Sequence, residues 1–244
     1  MSVLYGINTV AELLKASPEK IERICVERGQ KNPRIQEIVK LAHRIHVRIG
    51  FEERSWLDRK SEGARHQGVL CYAAEIGTLD IEEIIGQAKS PGLLVVLDGI
   101  EDPRNLGAVL RSAEAAGADG VFLPHRRSAS LSATVVKASA GASSHIRLAR
   151  TPNIAQLVEF LKKKGYWITG LDAAAEQPLW TIDLTEPTAL ILGNEGSGLH
   201  RLVKQKCDLL ASLPIYGNVS SYNVSVAAGI ALYEVLRQRA HREP

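Results

Sequence analysis

The feature that most constrains this chain is a series of short, continuous apolar runs that alternate with helix-forming segments. LLVVLD at 93–98, GVFLP at 120–124 and TALILG at 188–193 are runs of this kind. Apolar runs without polar alternation are typical of parallel strands that are covered on both faces. The pattern therefore predicts an α/β fold with a parallel sheet and helices on both faces. Ligands bind such sheets beyond the carboxyl ends of the strands.

The first 74 residues carry a separate pattern of short helices and strands, which predicts a small α/β domain with a mixed sheet. This region holds 13 Lys and Arg against 9 Asp and Glu, whereas the rest holds 17 against 18. The excess suits attraction to phosphates, but it fits an ordinary solvated surface equally well. Residues 75–91 are predicted to be a linker with a short helix capped by Asp80, and residues 92–244 to be the second domain.

Cysteine usage and the lack of long apolar segments limit the class of protein. Cys25, Cys71 and Cys207 are odd in number and show no CxxC spacing, so we expect buried thiols, without disulfides or a zinc site. His43 and His46 have no carboxylate or cysteine partners in the pattern, so no metal is expected. No run reaches the about 18 apolar residues of a membrane span, and no signal peptide is visible. A cytoplasmic protein without membrane contact is expected.

Three polar loops follow apolar strands, and the first is DPRNLGAVLR at 102–111. Asp102 is a suitable N-cap for the helix that follows. Helical spacing places Arg104 and Arg111 on one side of this helix. On helix geometry alone, two solvated arginines are the simpler interpretation. The opposite, core-facing side comprises four apolar residues: Leu106, Val109, Leu110 and Ala113.

The second loop, GNEGSG at 193–198, has three glycines in six residues, which allows the main chain to approach a ligand closely. The lysine of a phosphate-binding P-loop is missing and GxGxxG does not fit, so binding of a nucleoside triphosphate or dinucleotide is disfavoured. Glu195 also argues against a phosphate here. Its carboxylate is suited to hold the guanidinium of Arg111 in a bidentate pair.

The third loop, SSYN at 220–223, precedes the last predicted helix. Ser221 or Asn223 can cap this helix, and capping alone is enough to explain both residues. A contact with a ligand is compatible with that role. Core spacing in the helix is kept by Val224, Ala228, Ala231 and Val235.

In this order, NLGAVLR, LILGNEGSGL and SSYNVSVA resemble the motifs of the SpoU branch of the SPOUT methyltransferases. The resemblance implies methyl transfer from S-adenosylmethionine to ribose 2'-oxygens of structured RNA. It implies five residues in the reaction centre: Asn105, Arg111, Glu195, Ser221 and Asn223. It implies seven contacts to the donor: Leu192, Gly193, Asn194, Gly196, Leu213, Ile215 and Tyr222. Tyr222 stands where leucine is common, so the shape of that contact is altered.

The implied reaction is an in-line displacement by the ribose hydroxyl, which the protein must align and activate. The family assigns activation to the arginine of the first motif, here Arg111. A guanidinium resists deprotonation, so we expect Arg111 to fix the hydroxyl and the adjacent phosphate and to stabilise negative charge. Ser221 and Asn223 would orient the hydroxyl.

The resemblance also implies a deep trefoil knot in the second domain and a homodimer. VLYGINTVAELL at 3–14 and ARHQGVLCY at 64–72 resemble the L30e-like substrate-binding domain that precedes many SpoU enzymes. With SSYNVSVAAGIALYEVLRQR, these segments are most similar to enzymes that methylate a guanosine ribose in the peptidyl-tRNA-binding loop of 23S rRNA. Together, these resemblances cover essentially the whole chain.

Contacts with RNA are expected from Arg104, Arg126, Arg127 and His66. Arg126 and Arg127 follow the strand at 120–124, where paired arginines suit phosphates, although a solvated turn is an equal alternative. For His66, a hydrogen bond within a turn is equally suitable. Aromatic residues make up only 5% of the chain, which favours folded RNA over stacking along single strands.

Two other functions stay open on the sequence. The substrate could be tRNA or another rRNA loop, although the L30e-like leader counts against tRNA. From a different class, the chain could be a non-catalytic rRNA-binding assembly factor. The intact motif residues argue against that second alternative.

Overall fold

The computed structural model describes residues 2–74, 77–129 and 131–240. The chain divides into two compact units. The first unit comprises the described residues within 1–76 and 130–145, and the second comprises the remainder. The predicted division placed 130–145 in the second domain, so this segment is the main difference between the prediction and the structure.

The helices and strands follow one another along the chain in the order that the apolar pattern indicates. The strands are β1 (Ser2–Tyr5), β2 (Ile21–Glu27), β3 (Arg48–Glu52), β4 (Val69–Ala73), β5 (Leu93–Asp98), β6 (Gly120–Pro124), β7 (Leu148–Thr151), β8 (Trp167–Leu171), β9 (Thr188–Gly193) and β10 (Leu209–Ala211). The α-helices are α1 (Ile7–Ala16), α2 (Pro33–Arg44), α3 (Arg54–Lys60), α4 (Ile81–Gly86), α5 (Pro103–Ala115), α6 (Ala133–Ala138), α7 (Ile154–Lys163), α8 (Arg201–Lys206) and α9 (Val224–Ala240).

The first unit is built on a mixed sheet with the strand order β1-β4-β2-β3. β2 and β3 are parallel, whereas β4 runs antiparallel to both β1 and β2. The sheet is mixed, as the sequence predicted. β1 has only four residues, which are too few to carry a periodic signal in the sequence.

Segment 130–145 joins the first unit through apolar contacts. Helix α6 packs against β1 and α1, and Val136 belongs to the same buried core as Leu4 and Val10. The ammonium group of Lys137 lies 4.9 Å from the centre of the Tyr5 ring. A segment rich in alanine and serine gives no sequence signal for such a partner, because small residues suit many packing surfaces.

The second unit contains a six-stranded sheet with the order β10-β8-β9-β5-β6-β7, and all its strand pairs are parallel. β5 and β9 are neighbours at its centre, in register from Leu93 opposite Thr188 to Asp98 opposite Gly193. Their carboxyl ends therefore lie side by side. The loops that follow them, at 99–102 and 194–200, meet at that edge of the sheet.

Helices cover both faces of this sheet, which confirms the predicted layers. One face buries Leu94, Val96 and Phe122 against residues of α4, α7 and α8. Val95 and Leu97, also fully buried, point to the opposite face, where α5 and α9 pack together. Full burial of each such side chain stabilises the fold by about 1.5–3 kcal/mol. The predicted core residues of α5 and α9 are all buried.

Helix capping agrees with the prediction at α5 but not at α4. The Asp102 carboxylate accepts a hydrogen bond from the N–H of Arg104 at 2.8 Å and so caps α5. Asp80 precedes α4 but its side chain makes no capping hydrogen bond, which corrects the prediction. β10 ends at Ala211, and beyond it Leu213 and Ile215 line a cavity.

The cysteines are free thiols in protected surroundings. Cys25 and Cys71 are fully buried as expected, and burial raises the pKa of Cys71 to about 12. Cys207 is only partly buried, although burial still raises its pKa to about 11. Across the described stretches, no helix is both long and apolar enough to span a membrane. Within the same stretches, no group of three His, Cys, Asp or Glu side chains could hold a metal.

Candidate active site

Three residues meet at the carboxyl edge of the parallel sheet: one from the first turn of α5, one from the turn after β9 and one from the loop before α9. Oε1 of Glu195 accepts hydrogen bonds from Nδ2 of Asn105 at 2.6 Å and from Nδ2 of Asn223 at 2.7 Å. Nδ2 of Asn223 also donates to Oδ1 of Asn105 at 3.1 Å. We refer to these three residues as the Asn-Glu-Asn cluster. It joins the three loops that the sequence marked as functional.

Asn223 is oriented by the start of α9. Its Oδ1 accepts hydrogen bonds from the N–H of Ser225 at 3.0 Å and from the Ser225 hydroxyl at 2.6 Å. An ionised carboxylate only accepts hydrogen bonds, so the Asn223 amide must turn its donor side towards Glu195. Asn223 therefore caps the helix and belongs to the cluster, and the two proposed roles hold together. Ser225 was not identified from the sequence, although a serine two residues after a capping asparagine is suited to this contact.

Asn105 is held from the first turn of α5. Its Nδ2 lies 3.4 Å from Oδ2 of Asp102, the residue that caps this helix. The carboxylate of Asp102 therefore orients Asn105 and caps α5 at the same time, since its other oxygen accepts the N–H of Arg104. Charge-assisted hydrogen bonds of this kind fix side-chain orientation more strongly than neutral ones.

A tight glycine turn positions Glu195. Asn194 and Gly198 pair through two main-chain hydrogen bonds of 3.0 and 2.9 Å. The side chain of Asn194 accepts from the N–H of Gly196 at 2.9 Å and donates to the carbonyl of Gly99 at 2.7 Å. A Cβ atom at Gly193 would lie 2.2–2.4 Å from main-chain atoms of residues 198 and 199. Only glycine fits there, so the turn is fixed by close main-chain packing.

A cavity of about 520 Å³ lies beside the cluster, and we call it the turn-lined cavity. Glu195 and Ser221 both line it, as do apolar side chains from the ends of β9 and β10. All seven residues predicted to contact a donor line this cavity: Leu192, Gly193, Asn194, Gly196, Leu213, Ile215 and Tyr222. A volume of this size suits a ligand of cofactor dimensions.

The sequence missed one wall of the turn-lined cavity, which comes from residues 171–174 after β8 and from Lys204 on α8. Asp172 forms an ion pair with Lys204 and accepts a hydrogen bond from the N–H of Ala174 at 2.8 Å. Burial acts to raise the pKa of Asp172, but the hydrogen bonds from Lys204 and Ala174 outweigh it and lower the pKa. The wall carries no glycine or motif, so only the three-dimensional structure identifies it.

Arg111 does not pair with Glu195, which corrects the predicted contact. Arg111 is exposed and makes no hydrogen bond or ion pair with any residue that the structure describes. Oε1 of Glu195 is engaged by the two asparagine amides instead. Arg104 is likewise exposed on α5. The guanidinium groups of both arginines are therefore open to solvent.

His66 is buried in the first unit, which corrects the expectation that it contacts RNA. Its side chain is 3% exposed, and its Nδ1 accepts a hydrogen bond from the N–H of Gly68 at 3.0 Å. Nε2 lies 2.9 Å from Oδ1 of Asp58 and must carry the proton of the neutral ring. The histidine stabilises the turn before β4, and both ring nitrogens are used within the fold.

This arrangement is typical of an α/β enzyme, because a cavity of cofactor size lies next to a cluster of hydrogen-bonding side chains at the carboxyl edge of a parallel sheet. Residues 92–233 match the SpoU rRNA Methylase family, and residues 3–78 match the family described as RNA 2'-O ribose methyltransferase substrate binding. The chain belongs to the SpoU rRNA methylase family.

Curated relatives match over nearly the full length. The chain is 43% identical over 245 residues to the 23S rRNA (guanosine-2'-O-)-methyltransferase RlmB of Pseudomonas syringae pv. tomato, covering 99% of this chain and 98% of that protein. It is 39% identical over 240 residues to the RlmB of Haemophilus influenzae, covering 97% of each.

Solved structures share the fold. The SpoU methyltransferase AviRb from Streptomyces viridochromogenes, in complex with the cofactor AdoMet, matches with a TM-score of 0.82, 22% identity and coverage of 98% of this chain and 90% of that one. The TrmH/SpoU tRNA modifying enzyme of A. aeolicus matches with a TM-score of 0.58, 28% identity and coverage of 66% and 81%. At 22% identity, the likeness to AviRb shows the fold alone.

Proposed function

We propose that this chain transfers a methyl group from S-adenosylmethionine to the ribose 2'-oxygen of a guanosine in the peptidyl-tRNA-binding loop of 23S rRNA. One observation carries the proposal: the Asn-Glu-Asn cluster lies beside a cavity that contains all seven residues predicted to contact the donor. Near full-length relatives named as 23S rRNA guanosine methyltransferases support the choice of substrate.

The turn-lined cavity fits S-adenosylmethionine by size and chemistry. Leu192, Leu213 and Ile215 form an apolar wall suited to the adenine ring. The glycine turn at 193–198 offers main-chain groups to the polar parts of the donor. When bound, S-adenosylmethionine supplies an electrophilic methyl group. The task left to the protein is to align and activate the ribose hydroxyl.

The side chains around the cavity are suited to that task. Glu195 is fixed by two amides, so the cluster presents a preorganised set of donors and acceptors to the ribose. Arg111 keeps its guanidinium available, and we assign it to the hydroxyl and the adjacent phosphate, where it stabilises developing negative charge. Ser221 lines the same cavity and would orient the hydroxyl.

Replacement of Arg111 by alanine is expected to lower methyl transfer by at least about 100-fold, because the positive charge that stabilises the reacting oxygen is lost. Arg111→Lys is expected to lose nearly as much, since a point charge cannot bridge two oxygens as a guanidinium does. Transfer of labelled methyl to 23S rRNA fragments and to tRNA, with the modified ribose mapped by mass spectrometry, measures both effects.

Lys163→Ala, an exposed change on α7, provides the control and should leave the rate unchanged. Label on tRNA instead of 23S rRNA would favour the alternative substrate. Donor binding without transfer to any RNA would favour the non-catalytic assembly factor. Full activity of Arg111→Lys would contradict the bidentate role.

Two features of architecture belong to the proposal. We propose a deep trefoil knot in the second unit. Its support is that β10 lies at one edge of the sheet, whereas Asn223, twelve residues after β10 ends at Ala211, bonds to Glu195 near its centre. We also propose that the first unit is an L30e-like RNA-binding domain. The mixed sheet and the match of residues 3–78 support this assignment.

We propose that the chain acts as a homodimer through an exposed apolar stripe on α9. Val226, Ile230 and Tyr233 follow one another at helical spacing and are 50%, 40% and 69% exposed. Ile230 and Tyr233 also line a depression of about 340 Å³ together with Trp180, which is 52% exposed. Such a patch on a helix is typical of a surface that a second copy covers.

The double replacement Ile230→Glu and Tyr233→Glu is expected to convert a dimer into a monomer, because two charges would be buried without partners. Light scattering coupled to size-exclusion chromatography measures the mass. Gln205→Glu, an exposed position on α8, adds charge elsewhere and should leave the dimer intact. A wild-type monomer, or a dimer that survives the double replacement, would contradict this interface.

A further inference from the structure

Another cavity, of about 660 Å³, opens at the carboxyl ends of β5, β6 and β7 in the second unit. We call it the basic cavity because four basic side chains line it: His125, Arg126, Arg127 and His200. Its apolar wall includes Leu202, which is 56% exposed. The basic cavity shares no lining residue with the turn-lined cavity. The Asn-Glu-Asn cluster does not use any of these groups.

His200 is held in place by a buried carboxylate. Asp98 is 4% exposed, and its Oδ2 accepts the main-chain N–H of His200 at 2.8 Å. Its Oδ1 lies 2.9 Å from Nδ1 of the same histidine. An ionised carboxylate accepts, so Nδ1 carries a proton and Nε2 is the ring atom left for a ligand. Among the described residues, Asp98 is the only carboxylate that lines the basic cavity, and His200 already pairs with it.

The loop after β6 is also held in place, by hydrogen bonds from Arg150. The guanidinium of Arg150 donates to the carbonyl of Pro124 at 2.9 Å, to the hydroxyl of Ser128 at 2.8 Å and to the carbonyl of Ala129 at 3.0 Å. Arg127 adopts a left-handed backbone conformation with φ of 57°, which a non-glycine residue adopts only at a cost of about 1–3 kcal/mol. Arg150 thus fixes the loop that carries the exposed Arg126 and Arg127.

We propose that the basic cavity binds a nucleotide of the substrate RNA that flanks the methylated one; this inference rests on the proposed function. Arg126 and Arg127 would bind a phosphate, as guanidinium groups do through paired hydrogen bonds. The base would lie against the apolar wall at Leu202, with Nε2 of His200 within the same cavity. Unpaired nucleotides of folded RNA are commonly turned out of their stacks and bound in this way.

Charge, size and rigidity all favour an RNA nucleotide. The volume falls in the range of about 300–1,000 Å³ that is typical of small-ligand sites. The basic side chains give the site affinity for an anion. Because Asp98 holds His200 and Arg150 holds the loop after β6, less conformational entropy is lost when a ligand binds. The basic cavity borders the segment that carries Glu195, because a Cβ atom at Gly99 would lie 3.4 Å from Cε1 of His200 and 3.9 Å from Cβ of Asn194. Substrate held there is therefore held next to the reaction centre.

The test uses the full-length protein with the double replacement Arg126→Ala and Arg127→Ala. Both side chains are exposed, so the fold should be retained. We expect the KM for RNA to rise at least tenfold and the slope of log KM against log salt to fall by about 1, because one phosphate contact is lost. The Kd for S-adenosylmethionine and kcat should stay within about threefold, since the turn-lined cavity is untouched.

His200→Ala should raise the KM for RNA by several-fold without changing donor affinity. Arg201→Ala is the matched control, because Arg201 is the exposed neighbour on α8 and does not line the basic cavity. An unchanged KM and salt slope in the double variant would overturn the inference, and so would a loss of donor affinity. If millimolar guanosine 5'-monophosphate or inorganic phosphate binds there while the KM for RNA is unchanged, a free phosphate compound is the ligand and the inference is wrong.

Failure of the proposed function can be distinguished from failure of this inference. If the wild-type protein methylates no RNA, the affinity for 23S rRNA fragments is compared directly by fluorescence anisotropy. At least tenfold weaker binding by the double variant would still support the basic cavity as an RNA site. Equal binding by both proteins would reject it.

Discussion

Replacement of Glu195 by alanine should lower the rate of methyl transfer by about 100-fold to 1,000-fold, the loss typical when one preorganised group is removed from a reaction centre. The physical reason is that Asn105 and Asn223 share Oε1 of Glu195 as their acceptor, at 2.6 and 2.7 Å. Without it, both amides lose their shared acceptor, and the reaction centre loses its carboxylate. Single-turnover transfer from labelled S-adenosylmethionine to 23S rRNA measures the effect separately from RNA binding.

Glu195→Gln is the matched variant, because it keeps an acceptor oxygen of the same reach but loses the charge. We expect it to retain more activity than Glu195→Ala. Asn105→Ala combined with Glu195→Ala should be no worse than the poorer single variant, since residues in direct contact do not contribute independently. Additive losses, or a Glu195→Ala rate within threefold of wild type, would show that the cluster does not act as a unit.

Gly193→Ala is expected to weaken binding of S-adenosylmethionine by at least about 100-fold and to lower the melting temperature by several degrees. A Cβ atom there would lie 2.2–2.4 Å from the carbonyl carbon and oxygen of Gly198 and the nitrogen of Leu199. Main-chain atoms cannot move aside as the end of a flexible side chain can. The turn at 193–198, which lines the turn-lined cavity, must therefore shift. Isothermal titration calorimetry and a thermal melt measure the two effects.

The same turn contains its own control. A Cβ atom at Gly196 would meet only Oδ1 of Asn194, at 3.7 Å, which is ordinary contact. Gly196→Ala should therefore keep donor affinity within about tenfold of wild type and leave stability nearly unchanged. If Gly193→Ala bound the donor as well as Gly196→Ala does, close packing of the turn would not be what shapes the cavity.

The sequence predicted the second unit well because its signals are local. The central strands β5, β6 and β9 are the apolar runs that predict the sheet, and the first two functional loops begin just after β5 and β9. The carboxyl ends of neighbouring parallel strands lie at the same edge of a sheet, so the sequence alone predicts that these loops meet. The core faces of α5 and α9 followed from helical spacing in the same way.

Other features depend on partners that no local pattern specifies. Glu195 was expected to hold Arg111, but its nearest donors come from residues 90 and 28 positions away. The wall at Asp172 and Lys204 rests on an ion pair without a motif. The packing of segment 130–145 with the first unit depends on small side chains that fit many surfaces. In each case tertiary packing determines the contact, and local secondary-structure propensity does not.

The Asn-Glu-Asn cluster also has a consequence for folding. The hydrogen bond between Asn105 and Asn223 closes a loop of 118 residues. Contacts across such long stretches of chain form late, because the entropy of loop closure must be overcome before they contribute. A partly folded second unit without a docked α9 would have a sheet and even a glycine turn, but no complete reaction centre. Catalytic competence is therefore among the last properties that this chain acquires as it folds.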